Sequence, residues 1–376
     1  MRHKGWGIIF VLMNFFILIN FLFFNNSVYA KVIGPCSNCH TMHNSQNSKS
    51  VTSDNSTYNA LTKGNCLGCH TGINNGNNTI PYVYSTTEPT FGNDTLAGGN
   101  FYWVKKDDTK GHNVFPDNPD DFLSKAPGAL IESCGTNCCH NNLSGVVSNA
   151  GYDSLNGRQG CTKCHMVNGQ TGPIGYHHAQ NPAATGSGWR YINSFPWYRF
   201  LSGHITGEGH GVVGIEDAKW NYHATSDSHN EYAGKADTDG GWGFSNLGNT
   251  MTAYCTGCHG LFHDEQGGGS PWIRHPSDAV IPDKGEYRYA FGANGTAYPG
   301  TYDPKVPVAR PIDTFNWQNG PKNTVTIGQD LVMCLSCHVA HGSPYDDLLR
   351  WDYSKCQAGS DNPDPDCGCF KCHTQK

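Results

Sequence analysis

The 376-residue sequence has few charged residues and lacks long amphipathic patterns over most of its length. Asp, Glu, Lys and Arg make up 15% of the chain, against about 25% in an average protein. The chain instead has 46 Gly and 20 Pro, which predicts that turns and loops dominate and that the helices are short. The 18 Tyr, 17 Phe and 9 Trp argue against a disordered chain. An ordinary helical core is therefore not expected.

Cysteine is abundant, and most of it follows one pattern. The sequence has 17 Cys, and six strict copies of Cys-x-x-Cys-His run through it at uneven intervals. The copies are Cys36-Ser-Asn-Cys39-His40, Cys66-Leu-Gly-Cys69-His70, Cys161-Thr-Lys-Cys164-His165, Cys255-Thr-Gly-Cys258-His259, Cys334-Leu-Ser-Cys337-His338 and Cys369-Phe-Lys-Cys372-His373.

This pattern is the attachment signature of a c-type haem. Two thiols add across the two vinyl groups of the porphyrin, and the adjacent His ligates the iron. Zinc sites need two Cys pairs, or one pair with spaced histidines, to complete a tetrahedron. A disulfide scaffold gives no reason for a His after every second Cys. The six copies therefore predict six covalent haems.

A seventh site departs from the pattern in Cys134-Gly-Thr-Asn-Cys138-Cys139-His140. We favour attachment through Cys134 and Cys139 with His140 on the iron, which brings the expected number of haems to seven. Two alternatives remain open. Cys134 pairs with Cys138 and leaves Cys139 as a single thioether, or no haem binds there.

Three cysteines are then left over: Cys138, Cys356 and Cys367. The last two flank a short polar loop, and a disulfide between them would close it in an oxidising compartment. Asp361, Asp364 and Asp366 in this loop are better explained as a polar surface turn than as a calcium site. Cys138 stays unassigned.

The N-terminus predicts export. Positive residues at positions 2–4 precede an apolar stretch, and Val28-Tyr29-Ala30 provides a cleavage point before Lys31. An uncleaved anchor is the alternative, because the apolar stretch is long for a signal peptide. Cleavage removes two of the 25 basic residues and no acid, so the net charge changes from −6 to −8. A negative chain argues against nucleic acid and anionic membrane surfaces as partners.

The second axial ligand of each iron decides between an electron carrier and an enzyme, because two His per iron leave no position for substrate. Residues 31–376 hold only four Met, so Met ligation cannot be the general scheme. His43 and His341 each follow a motif His by three residues, which is too close for the far side of the same haem and suits a neighbouring one. The predicted distal ligands are His43, His112, His178, His229, His263, His275 and His341, with His177, His204, His210 and His223 in reserve. A surface or propionate-bonding role is the alternative for each.

Several stretches resemble the multihaem c-type cytochromes of metal-reducing and syntrophic bacteria. They are Gly34-Pro-Cys-Ser-Asn-Cys-His-Thr-Met-His43, Trp272-Ile-Arg-His-Pro-Ser-Asp, Gly285-Glu-Tyr, Val332-Met-Cys-Leu-Ser-Cys-His-Val-Ala-His-Gly-Ser-Pro-Tyr and Leu349-Arg-Trp-Asp-Tyr353. The resemblance implies periplasmic or extracellular electron transfer, in some members through filaments with stacked haems. It also implies other redox proteins, further copies of the chain and extracellular electron acceptors as partners.

The sequence therefore predicts a multihaem cytochrome fold, mostly coil and turns with short α-helices, little β structure and a core of stacked haems. Residues 1–30 would be the signal peptide, and residues 31–376 one seven-haem domain with no integral membrane segment after cleavage. The predicted function is electron transfer through mainly bis-His haems, without catalysis. The alternative is a multihaem reductase of nitrite, hydroxylamine or a sulfur oxyanion with one five-coordinate haem. The absence of any Cys-x-x-Cys-Lys argues against that alternative.

Overall fold

The structure is a computed structural model. It describes residues 35–51, 55–58, 61–63, 66–115, 161–165, 198–201, 211–236, 248–259, 275–316, 320–360 and 364–375. The predicted signal peptide, the seventh attachment site at Cys134, Cys139 and His140, and the predicted ligands His178 and His263 lie outside these residues.

Helices in the described residues are one or two turns long. The α-helices are α1 (Cys66–His70), α2 (Phe101–Val104), α3 (Cys161–Cys164), α4 (Met251–Thr256) and α5 (Cys334–Cys337). Single 3₁₀ segments lie at Cys36–Asn38, Asp108–Lys110, Tyr198–Phe200, Gly285–Gly292, Ile312–Thr314, Asp346–Leu348, Tyr353–Lys355 and Gly368–Lys371. All six strict motifs start in one of these helices or 3₁₀ segments.

The motif sequence itself shapes this helical turn. The main-chain N–H of the motif His donates to the carbonyl of the first Cys of the same motif at 2.8–3.1 Å, in the motifs that end at His40, His165, His259, His338 and His373. Residues i, i+3 and i+4 of one helical turn lie on the same face. Both thiols and the imidazole of each of these motifs therefore project to one side.

The strands are short. They are β1 (Ser45–Gln46), β2 (Lys49–Ser50), β3 (Gly214–Ile215), β4 (Glu231–Gly234), β5 (Ala279–Val280), β6 (Gly300–Thr301), β7 (Ala309–Pro311), β8 (Thr324–Val325) and β9 (Leu331–Val332). Five of them form one sheet in the order β3-β4-β7-β9-β5. The β4–β7 pair is parallel, with Tyr232 opposite Ala309, and the other pairs of this sheet are antiparallel. The pairs β1–β2 and β6–β8 are separate antiparallel ribbons.

A buried ion cluster holds the centre of this sheet together. Arg310 on β7 is 1% exposed, and its Nε donates to Glu231 Oε1 on β4 at 2.7 Å. Its Nη1 donates to Asp330, and its Nη2 donates to the Lys322 carbonyl at 2.7 Å. Every charged group of the cluster is thus paired and hydrogen-bonded, as burial in a low dielectric requires.

Small hydrophobic clusters surround the sheet. The largest packs Phe291, Tyr302, Val325, Ile327 and Trp351 together, and the half-buried cysteines of the last two motifs lie against it. The prediction of mostly coil with short helices is confirmed. The five-stranded sheet and its ion cluster were not predicted. No helix of the described residues is long and apolar enough to cross a membrane.

Candidate haem sites

Eight of the described histidines share one hydrogen-bonding pattern. The Nδ1 of His70 lies 2.8 Å from the Pro81 carbonyl oxygen, and that of His338 lies 2.8 Å from the Asp347 carbonyl oxygen. A carbonyl oxygen can only accept, so Nδ1 carries the proton and the lone pair of the neutral ring is on Nε2. The main-chain acceptors are Leu61 for His40, Tyr58 for His43, Pro81 for His70, Ala340 for His112, Arg199 for His165, Thr225 for His229, Pro276 for His275 and Asp347 for His338.

This tautomer is the one that an iron ligand needs. Metal-bound His residues usually donate their other ring N–H to a carbonyl or carboxylate, which fixes the ring orientation. His373 follows the same pattern with a carboxylate, because its Nδ1 lies 3.3 Å from Glu286 Oε1. Nε2 is then the nitrogen of each ring that is available for a metal.

Three pairs of imidazoles have the spacing that a shared metal requires. The ring centroids are 6.1 Å apart for His112 and His259, 6.2 Å for His165 and His341, and 6.1 Å for His275 and His373. A metal–imidazole bond of about 2.0–2.1 Å, with the ring centre roughly 1.1 Å further on, puts two rings on one metal about 6.2 Å apart. Each pair joins one motif His to one His outside the motifs, so these residues fit a six-coordinate haem iron.

Desolvation favours the neutral form of His112, His165, His338 and His341. It lowers the pKa of His112 to about 4 and that of His341 to about 3, with neighbouring histidines adding to both shifts. It also lowers the pKa of His165 and of His338. A neutral imidazole is the form that binds a metal.

Packing and a main-chain hydrogen bond fix the position of His341. Its ring stacks on Phe101 with centroids 4.6 Å apart, and its main-chain N–H donates to the Gly98 carbonyl at 2.7 Å. A Cβ on Gly98 would lie 2.7 Å from His341 Nδ1, so only glycine lets this ring approach the backbone so closely. The position of the ring therefore depends on Gly98 and Phe101.

His229 is buried, at 1% exposure. Its ring lies against Tyr302 with centroids 3.7 Å apart and an angle of 11° between the planes. Its Nε2 is buried and has no hydrogen-bond partner among the described residues, and burial lowers the pKa of His229 to about 4. An orphaned Nε2 lone pair beside a donating Nδ1 is the arrangement of a metal ligand.

The motifs contact one another in chain order. The Cys69 thiol donates to the Cys39 carbonyl at 3.9 Å, which joins the first motif to the second. The second motif contacts the one at Cys161, because the thiols of Cys66 and Cys161 hydrogen-bond to each other. This hydrogen bond and burial raise the pKa of Cys161 well above its ordinary value.

The series continues through the next two motifs. The Tyr254 hydroxyl, directly before the motif at Cys255, donates to the Cys164 carbonyl at 2.6 Å. The Cys255 thiol then hydrogen-bonds to Cys334, and this bond and burial raise the pKa of Cys255.

The last two motifs meet through their cysteines. Burial raises the pKa of Cys337 to about 11, with a contribution from the nearby Cys369 thiol. Cys337, Cys369 and Cys372 also pack against the same hydrophobic cluster. Six attachment segments are thus joined in one continuous series within the described residues.

The cysteines outside these motifs behave differently. Cys356 and Cys367 form a disulfide with their Cα atoms 5.4 Å apart, as the sequence predicts. The twelve described motif cysteines take no part in a disulfide.

Known proteins are similar to this chain in motif and in sequence. Residues 327–376 match the family model described as a doubled CXXCH motif. The chain is 23% identical to the C-type cytochrome OmcS of Geobacter sulfurreducens over 378 residues, which covers 85% of this chain and 79% of that protein. The six strict motifs and these similarities support a multihaem c-type cytochrome. Its cofactor is covalent haem c.

Two solved structures support the fold of the cytochrome. The outer membrane cytochrome S filament from Geobacter sulfurreducens matches it with a TM-score of 0.51 and 17% identity, covering 86% of this chain and 85% of that one. A structure of the OmcS nanowires from the same organism matches with a TM-score of 0.50 and 17% identity, covering 92% and 100%.

The structure places three of the predicted distal ligands next to a motif His, and it leaves other candidates apart from any motif His in the described residues. His112, His275 and His341 each face a motif His, whereas His43 is exposed and His223 stacks on Tyr222. The sequence analysis missed the residues that orient the rings. Main-chain acceptors leave no signal in sequence, but the conspicuous Gly285-Glu-Tyr stretch contains the carboxylate that contacts His373.

Proposed function

We propose that the cytochrome conducts electrons along a series of covalently attached haems whose irons are mainly bound by two His each. The observation that carries the proposal is that consecutive strict motifs lie next to one another, from the Cys39–Cys69 hydrogen bond to the neighbouring thiols of Cys337 and Cys369. Electron transfer between haems needs them close together, and neighbouring cysteines of different motifs bring the haem attachment points together. When bound, each haem supplies a one-electron iron centre.

The strict motifs each supply two thioether cysteines and one proximal His in this proposal. Beyond the described residues, Cys134, Cys139 and His140 supply the seventh set, so that residues 31–376 form one seven-haem domain. In each set, the two Cys would hold the haem covalently, and the His would ligate its iron. The hydrogen bonds at Nδ1 hold the rings and tune their basicity.

Distal ligation follows from the ring pairs. His112 serves the iron of His259, His341 serves that of His165, and His275 serves that of His373. His229 serves a further iron through its buried Nε2. His178 and His263, outside the described residues, remain proposed ligands on sequence grounds. With both axial positions filled, these irons offer no site for substrate.

His43 has the features of a ligand for an iron in another copy of the chain. It is exposed and has a left-handed backbone with φ of 56°. Its Nδ1 donates to the Tyr58 carbonyl at 2.8 Å. The lone pair of the ring is therefore on Nε2 and is available for a metal. Met42 beside it is 70% exposed and Leu61 is 46% exposed. An exposed ligand in an apolar surrounding suits a subunit contact, as a filament would need.

We place the cytochrome outside the cytoplasm, in the periplasm or at the cell surface. The disulfide between Cys356 and Cys367 supports an oxidising compartment. Other redox proteins and extracellular acceptors would be its partners, and OmcS, the relative named above, is known from filament structures.

A spectroelectrochemical titration of the purified cytochrome tests the proposal. We expect the number of electrons taken up per chain to equal the number of haems found by mass, with overlapping potentials. We also expect no catalytic current with nitrite, hydroxylamine or sulfite. A catalytic current with any of these would instead favour a multihaem reductase.

A further inference from the structure

Three sulfur atoms lie together near the C-terminus. The Sγ atoms of Cys356, Cys367 and Cys369 are all within 4.8 Å of one another. Cys356 and Cys367 share a disulfide, and Cys369 is the first cysteine of the last motif. A thiol that has to react with haem therefore lies beside a disulfide with which it can exchange.

We propose that these three cysteines form a thiol–disulfide exchange site, in which the Cys356–Cys367 bond keeps Cys369 available for haem attachment. The inference rests on the proposed attachment of a haem at Cys369 and Cys372. It adds a function for the two cysteines that belong to no motif.

The exchange step is balanced without an outside reagent. The Cys369 thiolate attacks Cys367 Sγ, a Cys367–Cys369 bond forms, and Cys356 leaves as a thiolate that takes up a proton. The reverse reaction restores the first pairing. While Cys369 is in a disulfide it has no thiol to add to a vinyl group. Haem attachment to Cys369 and a Cys367–Cys369 disulfide therefore exclude each other.

The fold holds the Cys356–Cys367 disulfide in place. Cys367 is 2% exposed, and the Cys369 thiol sits in the 3₁₀ segment that follows it. A Cβ on Gly368 between them would lie 2.2 Å from the Trp351 ring, so this segment is pressed against the hydrophobic cluster.

Removing one partner of the disulfide would remove this protection. In Cys356→Ser, the Cys367 thiol is left next to Cys369. An exogenous protein or small-molecule disulfide would then oxidise the pair, with the two thiols losing two electrons and two protons and the donor becoming two thiols. In Cys367→Ser, Cys356 takes the same role. The double variant Cys356→Ser/Cys367→Ser keeps neither of these two competing thiols.

The experiment compares the full chain, the two single variants and the double variant after expression with haem attachment. Peptide mass mapping of the C-terminal segment reports whether Cys369 carries a thioether or a disulfide. We expect a thioether on Cys369 in the full chain and in the double variant. We expect chains with Cys369 in a disulfide to be the majority in both single variants.

Two results would overturn the exchange site. Retention of the Cys369 thioether in the single variants would show that an unpaired Cys356 or Cys367 does not compete with haem for Cys369. Loss of the thioether in the double variant to the same extent as in the single variants would show that the disulfide only holds the loop in shape. A full chain with no haem on Cys369 or Cys372 would refute attachment at this motif, and the exchange proposal with it.

Discussion

The imidazole rings of His112 and His259 face each other with their centroids 6.1 Å apart, although the two residues come from distant parts of the chain. His112 Nδ1 donates to the Ala340 carbonyl at 2.7 Å, and the next residue, His341, has its own ring 6.2 Å from that of His165. The short segment after the motif His338 thus connects two of the three ring pairs. Movement of this segment would disturb both.

Replacing His112 by Ala is expected to open one iron. His259 would lose its facing ring, and the vacant axial position would admit water or an added ligand. We expect one haem per chain to become high-spin and to bind cyanide, measured by visible and EPR spectroscopy. Thr109→Ala, an exposed change on the same segment, is the control and should leave the spectra unchanged. An unchanged low-spin spectrum in the His112 variant would contradict the assigned pair.

Replacing Glu286 by Gln is expected to raise the reduction potential of one haem. The Glu286 carboxylate contacts His373 Nδ1, and a carboxylate partner makes a ligating imidazole more basic. A less basic ligand stabilises the ferric iron less, so the potential moves upward. Spectroelectrochemical titration measures the shift. Asp313→Asn, which removes one exposed negative charge elsewhere, should leave the potentials near their original values, and an equal shift in both variants would refute the role of Glu286.

Replacing Arg310 by Met is expected to destabilise the protein by about 3–5 kcal/mol, the cost of leaving buried carboxylates unpaired. Glu231 and Asp330 both contact Arg310 and are 2% and 3% exposed. Thermal unfolding followed by circular dichroism would show a lower midpoint. The matched change Lys305→Met breaks an ion pair with Asp366 whose side chains are 61% and 73% exposed. Because exposed ion pairs contribute at most about 1 kcal/mol to the free energy of unfolding, the thermal midpoint of this variant should hardly change.

Replacing His43 by Ala is expected to abolish filaments without changing the haem content of each chain. His43 is exposed and is proposed to ligate iron in the next copy. Electron microscopy and size-exclusion chromatography report assembly, and haem mass per chain reports loading. Lys49→Ala, an exposed change in the adjacent ribbon, should assemble as the unaltered chain does. Filaments of normal length in the His43 variant would rule out this contact.

The sequence predicted the chemistry of the sites better than their surroundings. Cys-x-x-Cys-His places its ligands on one turn by local geometry alone, so the motifs at Cys36 and Cys334 could be recognised without a structure. The disulfide between Cys356 and Cys367 followed from subtracting the motif cysteines.

The surroundings depend on contacts between distant segments, which no local pattern encodes. The ring of His341 is placed by Gly98 and Phe101, far away in the chain. The five-stranded sheet is made of strands with two to four residues, too short for an alternating pattern to be recognised. Arg310 and Glu231 gave no sign in sequence that they would be buried together.

Low-temperature EPR of the ferric protein, with haem counted per chain by mass, tests the central claim most directly. We expect seven haems per chain, all low-spin with bis-His signatures and unchanged by cyanide or nitrite. A high-spin signal that shifts when either ligand is added would contradict a fully bis-His conduit. Six haems per chain would contradict attachment at Cys134 and Cys139.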